Sequence, residues 1–161
     1  MKKSTTTMMG AVVILLVGLG VICAHAEALD LSGTWKLNAE KSDFGNMPKP
    51  TVNVVMKIEH NEPGIKWTSP SFSQKGESTC ESIGAIDGKD YRLECGEFSS
   101  VQSFKRISPS VIKYVAKSTE GETIGTGTWT ISEDRKVLTQ KANTRDMNGE
   151  PLTVIQVFEK Q

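Results

Sequence analysis

After Asp30 the sequence alternates between apolar and polar residues, and this two-residue period is interrupted at intervals by Gly, Asn, Asp and Pro. Such alternation is typical of β-strands with one buried face, whereas an amphipathic helix repeats every three to four residues. No segment after Asp30 keeps a helical period over several turns. The chain is therefore expected to fold as an all-β protein.

The alternation predicts about ten short strands, each followed by a turn signal. They cover residues 31–37, 52–58, 65–67, 78–86, 89–95, 101–107, 111–118, 123–131, 136–143 and 152–159. One short helical turn is expected over residues 39–45, ended by Gly45, because Pro48 and Pro50 prevent a longer helix.

Ten consecutive strands must hide the edges of their sheet. Closing the sheet on itself removes every edge, so an antiparallel up-and-down β-barrel of about 8–10 strands is the preferred architecture. The absence of long crossover connections favours the up-and-down order. A two-sheet sandwich is the alternative that the pattern leaves open.

The first 26 residues have the features of a secretory signal peptide. Lys2 and Lys3 give a positive start, residues 10–22 are apolar, and Ala24 and Ala26 place small residues before the expected cleavage site. The predicted organisation is a signal peptide over residues 1–26 and one barrel domain over residues 27–161. The domain is therefore expected to be secreted or periplasmic.

Two other interpretations of this segment are weaker. A stable membrane span needs about 20 apolar residues, and residues 10–22 fall short of that length. Lipoprotein anchoring at Cys23 is disfavoured because Ile22 is bulky where a lipoprotein signal has a small residue.

Charge and histidine content exclude several function classes. The chain has 19 basic and 19 acidic residues, and removing Lys2 and Lys3 leaves 17 against 19. This balance gives no basic footprint for a nucleic-acid partner. His60 is the only histidine outside the signal peptide, and no nucleophile elbow accompanies it. We expect no enzyme activity, no cofactor and no metal site, with His60 in a solvated turn.

The two cysteines outside the signal peptide are expected to form a disulfide. If Asp87 and Gly88 form a two-residue type I′ turn, paired residues have numbers that sum to 175, which places Cys80 opposite Cys95. The pair would be hydrogen-bonded, with a Cα spacing of about 5.5 Å. A longer loop would shift this register. In an exported chain a structural disulfide is preferred to a redox or metal role.

The aromatic residues are the candidates for the core and for a ligand pocket. Trp35 and Trp129 are assigned to the core, and each follows a glycine by two residues, which is expected to make room for a neighbouring ring. Trp67, which has polar neighbours, and Tyr91 and Tyr114, which lie on faces expected to be interior, are the candidate ligand-lining residues. The alternatives are that Trp67 caps an open end and that the two tyrosines hydrogen-bond across a packed core.

Several motifs in order resemble one family. Residues 31–38 (LSGTWKLN) and 41–45 (KSDFG), the 87–91 turn (DGKDY) and the final strand at 157–160 (VFEK) resemble secreted bacterial lipocalin-like proteins that have no assigned function. The Gly-x-Trp on the first strand is similar to that of lipocalin and fatty-acid-binding-protein-like barrels. This resemblance implies a calyx in which Gly33 and Trp35 close one end.

The sequence also departs from that family. Arg92 stands where a proline is expected after the tyrosine of the turn, the cysteine pair is not a general feature, and residues 39–50 are too few for a helical lid. The functional hypothesis is an exported barrel that binds a small apolar or amphipathic ligand in its interior. The alternative is a packed barrel that acts as a protein- or envelope-interaction module. The sequence does not indicate an oligomeric state.

Overall fold

The computed structural model describes residues 28–73, 76–146 and 148–161, and the predicted signal peptide with Cys23 lies outside them. Ten strands follow one another along these residues. They are β1 Gly33–Leu37, β2 Val55–Asn61, β3 Gly64–Ser73, β4 Gly76–Ala85, β5 Asp87–Cys95, β6 Phe98–Ser108, β7 Val111–Lys117, β8 Thr123–Ile131, β9 Val137–Arg145 and β10 Pro151–Lys160.

The ten strands close into one antiparallel barrel. Each strand pairs with the strand before and after it in sequence, and β1 pairs with β10 as well as β2, which closes the barrel. The up-and-down barrel predicted from the alternation is confirmed, and the sandwich is excluded. No helix in the described part of the chain has the length and hydropathy needed to cross a membrane.

The up-and-down order gives the barrel two distinct ends. We call the "Trp35 end" the one that holds the start of β1, the β2–β3, β4–β5, β6–β7 and β8–β9 turns, and the end of β10. The "distal end" holds the β1–β2 connection and the other turns. Along β6, which runs towards the Trp35 end, Ser100 and Gln102 are therefore closer to the distal end than Phe104.

The third strand is longer than predicted. It continues for ten residues and includes Pro70, although a proline argues against a strand interior. The pairing of β3 with β2 ends at Thr68, so at Pro70 the strand has only β4 as a neighbour. A residue without an N–H group is tolerated there because the strand is locally an edge.

The helical turn predicted over residues 39–45 is wrong. After a turn, Asp43 exchanges two backbone hydrogen bonds with Ile155 of β10, at 2.8 and 2.7 Å, so the chain resumes the pairing of β1 with β10. Phe44 is then buried against Leu152 and Val154 in a small apolar cluster. Gly45, with φ of 58°, ends this stretch as expected.

The main core lies inside the barrel and fills the half near Trp35. Its buried members are Leu31, Trp35, Val54, Met56, Ile58, Ile65, Ile86, Phe104, Ile112, Tyr114, Trp129, Ile131, Leu138 and Phe158. Burial of this many large apolar side chains supplies the dominant stabilising term for the fold, at about 25 cal/mol for each Å² removed from water.

The β4–β5 hairpin has the predicted register but not the predicted turn. Cys80 pairs with Cys95, and Glu81 with Glu94, as the sum of 175 requires. However, only Gly88 of the turn dipeptide has a positive φ, whereas a type I′ turn needs two such residues. The ladder between β4 and β5 stops at Ser82 and Leu93, and beyond it β4 remains paired with β3 while β5 remains paired with β6.

Cys80 and Cys95 form the predicted disulfide, on the inner face of the ladder. Their Cα atoms are 3.9 Å apart. The predicted wide, hydrogen-bonded spacing of about 5.5 Å is therefore wrong, because counting outward from a type I′ turn assigns the pair type incorrectly when the turn is different.

Candidate functional site

Trp35, the residue predicted to close one end of the barrel, is fully buried in the main core. Its side chain has no exposed surface, and its indole Nε1–H donates a 2.9 Å hydrogen bond to the Leu31 carbonyl oxygen. The Lys160 ammonium lies 5.3 Å from the ring centre, within cation–π range. A Cβ atom at Gly33 would lie 2.6 Å from Lys160 Cε, so this glycine makes room for the lysine stem rather than for a ring.

His60 lies inside this end of the barrel and not in a solvated turn as predicted. Its side chain is only 3% exposed. The Leu31 N–H donates to His60 Nδ1 at 3.3 Å, and Nε2 lies 2.7 Å from Glu62 Oε2. Both ring nitrogens are therefore engaged in contacts that fix the segment before β1 against β2.

Glu62 joins His60 to the opposite side of the barrel end. Arg106 donates to both Glu62 carboxylate oxygens, from Nε at 3.2 Å and from Nη2 at 2.7 Å, and to the Pro109 carbonyl oxygen at 2.9 Å. The hydrogen bonds from Arg106 hold the pKa of the Glu62 carboxyl below its ordinary value, and the contact with His60 acts in the same direction. These contacts link β6 to β2 across the Trp35 end.

Four aromatic rings cross the middle of the barrel. The Trp67 and Trp129 ring centres are 6.0 Å apart, those of Trp129 and Phe104 are 5.3 Å apart, and those of Phe104 and Tyr114 are 6.4 Å apart. These spacings and their tilted or edge-on orientations are the favourable ones for aromatic pairs. Gly127 permits this packing, because a Cβ there would lie 2.6 Å from the Tyr114 ring.

Within the described part of the chain, four buried polar atoms of the aromatic layer and of the strand positions distal to it have no hydrogen-bond partner. They are Trp67 Nε1, Trp129 Nε1, Ser100 Oγ and Gln102 Oε1. Ser100 and Gln102 occupy successive inward positions of β6 and are 1% and 4% exposed. Buried polar groups almost always have a partner, and leaving one unpaired costs about 1–3 kcal/mol. Unpaired donors and acceptors on the inner face of a barrel therefore indicate a candidate binding site.

The distal half of the interior differs from the packed half. Apart from Leu152 and Val154, which pack against Phe44, its inward strand positions carry many small or polar residues, which include Ser69, Ser82, Ser100, Gln102, Ala116, Gly125 and Ala142. A barrel of eight strands is just wide enough to be filled by its own side chains, and this one has ten. A depression of about 200 Å³ opens at the distal end between β8 and β9, with Gly125 and Thr144 in its wall.

The structure separates the three predicted ligand-lining residues. Trp67 and Tyr114 both belong to the aromatic layer, where Tyr114 is buried near Gln140. Burial raises the pKa of the Tyr114 phenol, and the Gln140 contact opposes that shift. Tyr91 instead covers Gly84 with its ring, and its hydroxyl donates to Asp87 at the surface.

Sequence reasoning missed Ser100 and Gln102. The predicted strand at residues 101–107 began after Ser100, and polar residues on an alternating strand are normally assigned to the solvent face. The sequence did contain one signal: successive side chains of a strand point to opposite faces, so Ser100 and Gln102 lie on the same face as the apolar Phe104.

Two other surface features lie apart from this site. A depression of about 500 Å³ on β2–β4 near the Trp35 end is open to solvent and has Ile83, His60 and Lys66 in its wall. Glu81 and Glu94 lie opposite each other in the hairpin and form surface ion pairs with Lys66 and Arg92 respectively. The described residues contain no group of three metal-ligating side chains.

Comparison with known proteins supports the fold. No family model matches this chain, and no curated protein matches it in sequence. Among solved structures, zebrafish ileal bile acid-binding protein complexed with cholic acid matches with a TM-score of 0.54 and 14% identity, over 81% of this chain and 98% of that one. At this identity the likeness carries the fold alone. The chain is a ten-stranded, closed antiparallel barrel of the lipocalin and fatty-acid-binding-protein-like type.

Proposed function

We propose that this protein binds a small amphipathic molecule in the distal half of the barrel interior. The observation that carries the proposal is the group of four buried polar atoms without partners, on Trp67, Trp129, Ser100 and Gln102. A ligand with a polar group would satisfy these atoms, and its apolar part would lie against the aromatic layer. The structural neighbour, a bile acid-binding protein complexed with cholic acid, supports the same use of the fold by analogy.

We propose a binding role rather than catalysis, and export to an oxidising compartment. His60, the histidine that a catalytic triad would need, has both ring nitrogens occupied by contacts that hold the barrel end together. The Cys80–Cys95 disulfide is consistent with an extracellular or periplasmic location, where thiols are oxidised. The signal-like residues 1–26 support the same location.

The second candidate is a packed barrel that acts through its surface. The aromatic layer favours it, because Trp67, Trp129, Phe104 and Tyr114 fill the middle of the interior with side chains. The two candidates differ in what the distal half contains: spare volume in the first, and tightly packed side chains in the second.

Ala116→Leu distinguishes these candidates. Ala116 is half-buried at an inward position of β7, between Gln102 and Gly125. If the distal half accepts a ligand, the added methylene groups occupy that space, and the free energy of unfolding stays within about 0.5 kcal/mol of wild type. If the distal half is already packed, the same change costs about 1–3 kcal/mol.

The experiment combines urea unfolding with native mass spectrometry of protein purified from its own host. We expect wild type to retain a small molecule and Ala116→Leu to lose it while remaining stable. Lys113→Leu is the matched control, because Lys113 is exposed on the same strand. We expect this variant to retain the same small molecule as wild type. A bare wild-type mass together with a destabilised Ala116→Leu contradicts the proposal and supports the packed barrel.

A further inference from the structure

We propose that the ligand is an uncharged amphiphile that carries a hydroxyl group, rather than a carboxylate or another anion. This inference rests on the proposed function, since it names the chemical class of the molecule bound at the same four atoms. It concerns two properties of the site: the mixture of donors and acceptors that it presents, and the charge that surrounds it.

The four unpartnered atoms require a group that both donates and accepts. The indole N–H groups of Trp67 and Trp129 can only donate, Gln102 Oε1 can only accept, and the Ser100 hydroxyl can do either. A ligand hydroxyl matches this mixture, because it accepts from an indole N–H and donates to Gln102 Oε1. A carboxylate accepts only, and its oxygens would repel the Gln102 oxygen.

The charge distribution on the inner face disfavours an anion more strongly than the mixture of donors and acceptors does. No Lys or Arg occupies an inward strand position in the distal half of the described barrel, whereas His60, Arg106 and Lys160 all lie at the Trp35 end. Each of these three is already engaged: His60 and Arg106 with Glu62, and Lys160 with the Trp35 ring.

An anion buried beside Gln102 would therefore have no counter-charge. Removing a carboxylate from water without a partner is far more costly than removing a hydroxyl, which needs only one or two hydrogen bonds in return. The site should discriminate between two molecules that share one alkyl chain and differ only in the head group.

The test titrates the whole protein with 1-decanol and, separately, with decanoate at pH 7.5, and measures binding by isothermal titration calorimetry. We expect 1-decanol to bind at least tenfold more tightly than decanoate. Equal or tighter binding of decanoate overturns the inference about the head group but leaves interior binding standing. Binding of neither probe contradicts the proposed function and this inference together.

Gln102→Leu tests the role of the acceptor with little change in side-chain size. Loss of one hydrogen bond is expected to weaken 1-decanol binding about fivefold and to leave decanoate binding unchanged or stronger. The variant should fold, because it removes a buried polar atom that has no protein partner. Ser103→Ala, one position along β6 on the outer face, is the matched control and should bind both probes as wild type does. An unchanged affinity of Gln102→Leu for 1-decanol overturns the assignment of Gln102.

Discussion

Replacing Trp35 by alanine is expected to lower the free energy of unfolding by about 3–5 kcal/mol, the usual cost of removing a fully buried tryptophan side chain. Trp35 is 0% exposed and contributes more than packing. Its indole N–H holds the Leu31 carbonyl, and its ring lies beneath the Lys160 ammonium. The variant therefore loses the attachment of both the segment before β1 and the end of β10.

Urea unfolding followed by far-ultraviolet circular dichroism measures this effect. Lys36→Ala provides the control, because Lys36 is exposed on the same strand and its loss should change stability by less than about 0.5 kcal/mol. A loss below about 1 kcal/mol for Trp35→Ala would show that the barrel end is closed by other contacts and that Trp35 is not its seal.

Removal of the disulfide, in the double variant Cys80→Ala/Cys95→Ala, is expected to cost about 3 kcal/mol. The bridge closes a loop with a sequence separation of 15 residues, for which the chain-entropy relation gives this magnitude. The position of the disulfide in the β4–β5 hairpin strengthens the expected loss of stability, because the ladder between these strands contains only three residue pairs. The disulfide lies at one end of this short ladder and is the covalent link between the two strands.

Unfolding of wild type with and without dithiothreitol provides an independent measurement of the same quantity. Reduction should destabilise wild type by a similar amount, whereas the double variant should not respond to dithiothreitol. If reduced wild type and the double variant both unfold at the midpoint of the oxidised protein, the three backbone pairs and the neighbouring strands suffice, and the bridge is not needed for stability.

The strand order was predictable because each strand has only one buried face. The alternation of Val54, Met56 and Ile58, or of Phe104 with its neighbours, identifies an inner face without knowledge of the fold, and turn residues separate one strand from the next. The pairing of Cys80 with Cys95 was also predicted correctly, although the type I′ turn from which its register was derived does not form.

Other features depend on contacts between segments far apart in sequence. His60 is followed by Asn61, Glu62 and Pro63, a polar and turn-forming sequence typical of an exposed loop. It is buried because the segment before β1 crosses that end and because Arg106 brings Glu62 against the imidazole. The pairing of Asp43 with β10 is also invisible locally, as the partner lies more than a hundred residues away.

The candidate site was only partly predictable for the same reason. Trp67 and Tyr114 were identifiable as amphipathic aromatic residues on strands in which apolar and polar residues alternate. Tyr91 has the same character, but its hydroxyl donates a hydrogen bond to Asp87 instead. Ser100 and Gln102 become noteworthy only when the closed barrel shows that they are buried without partners. A lone sequence shows which residues share a face but not which polar atoms remain unpaired.

The indole N–H signals of the three tryptophans report directly on whether a ligand enters the distal half of the barrel. In a ¹H–¹⁵N correlation spectrum of the labelled protein titrated with 1-decanol, we expect the Trp67 and Trp129 indole signals to shift as the ligand binds. The Trp35 signal should stay in place, because its N–H is already bonded to the Leu31 carbonyl at the other end of the barrel. A titration in which the Trp35 signal shifts while those of Trp67 and Trp129 do not, or in which no indole signal moves, would contradict binding in the distal half of the barrel.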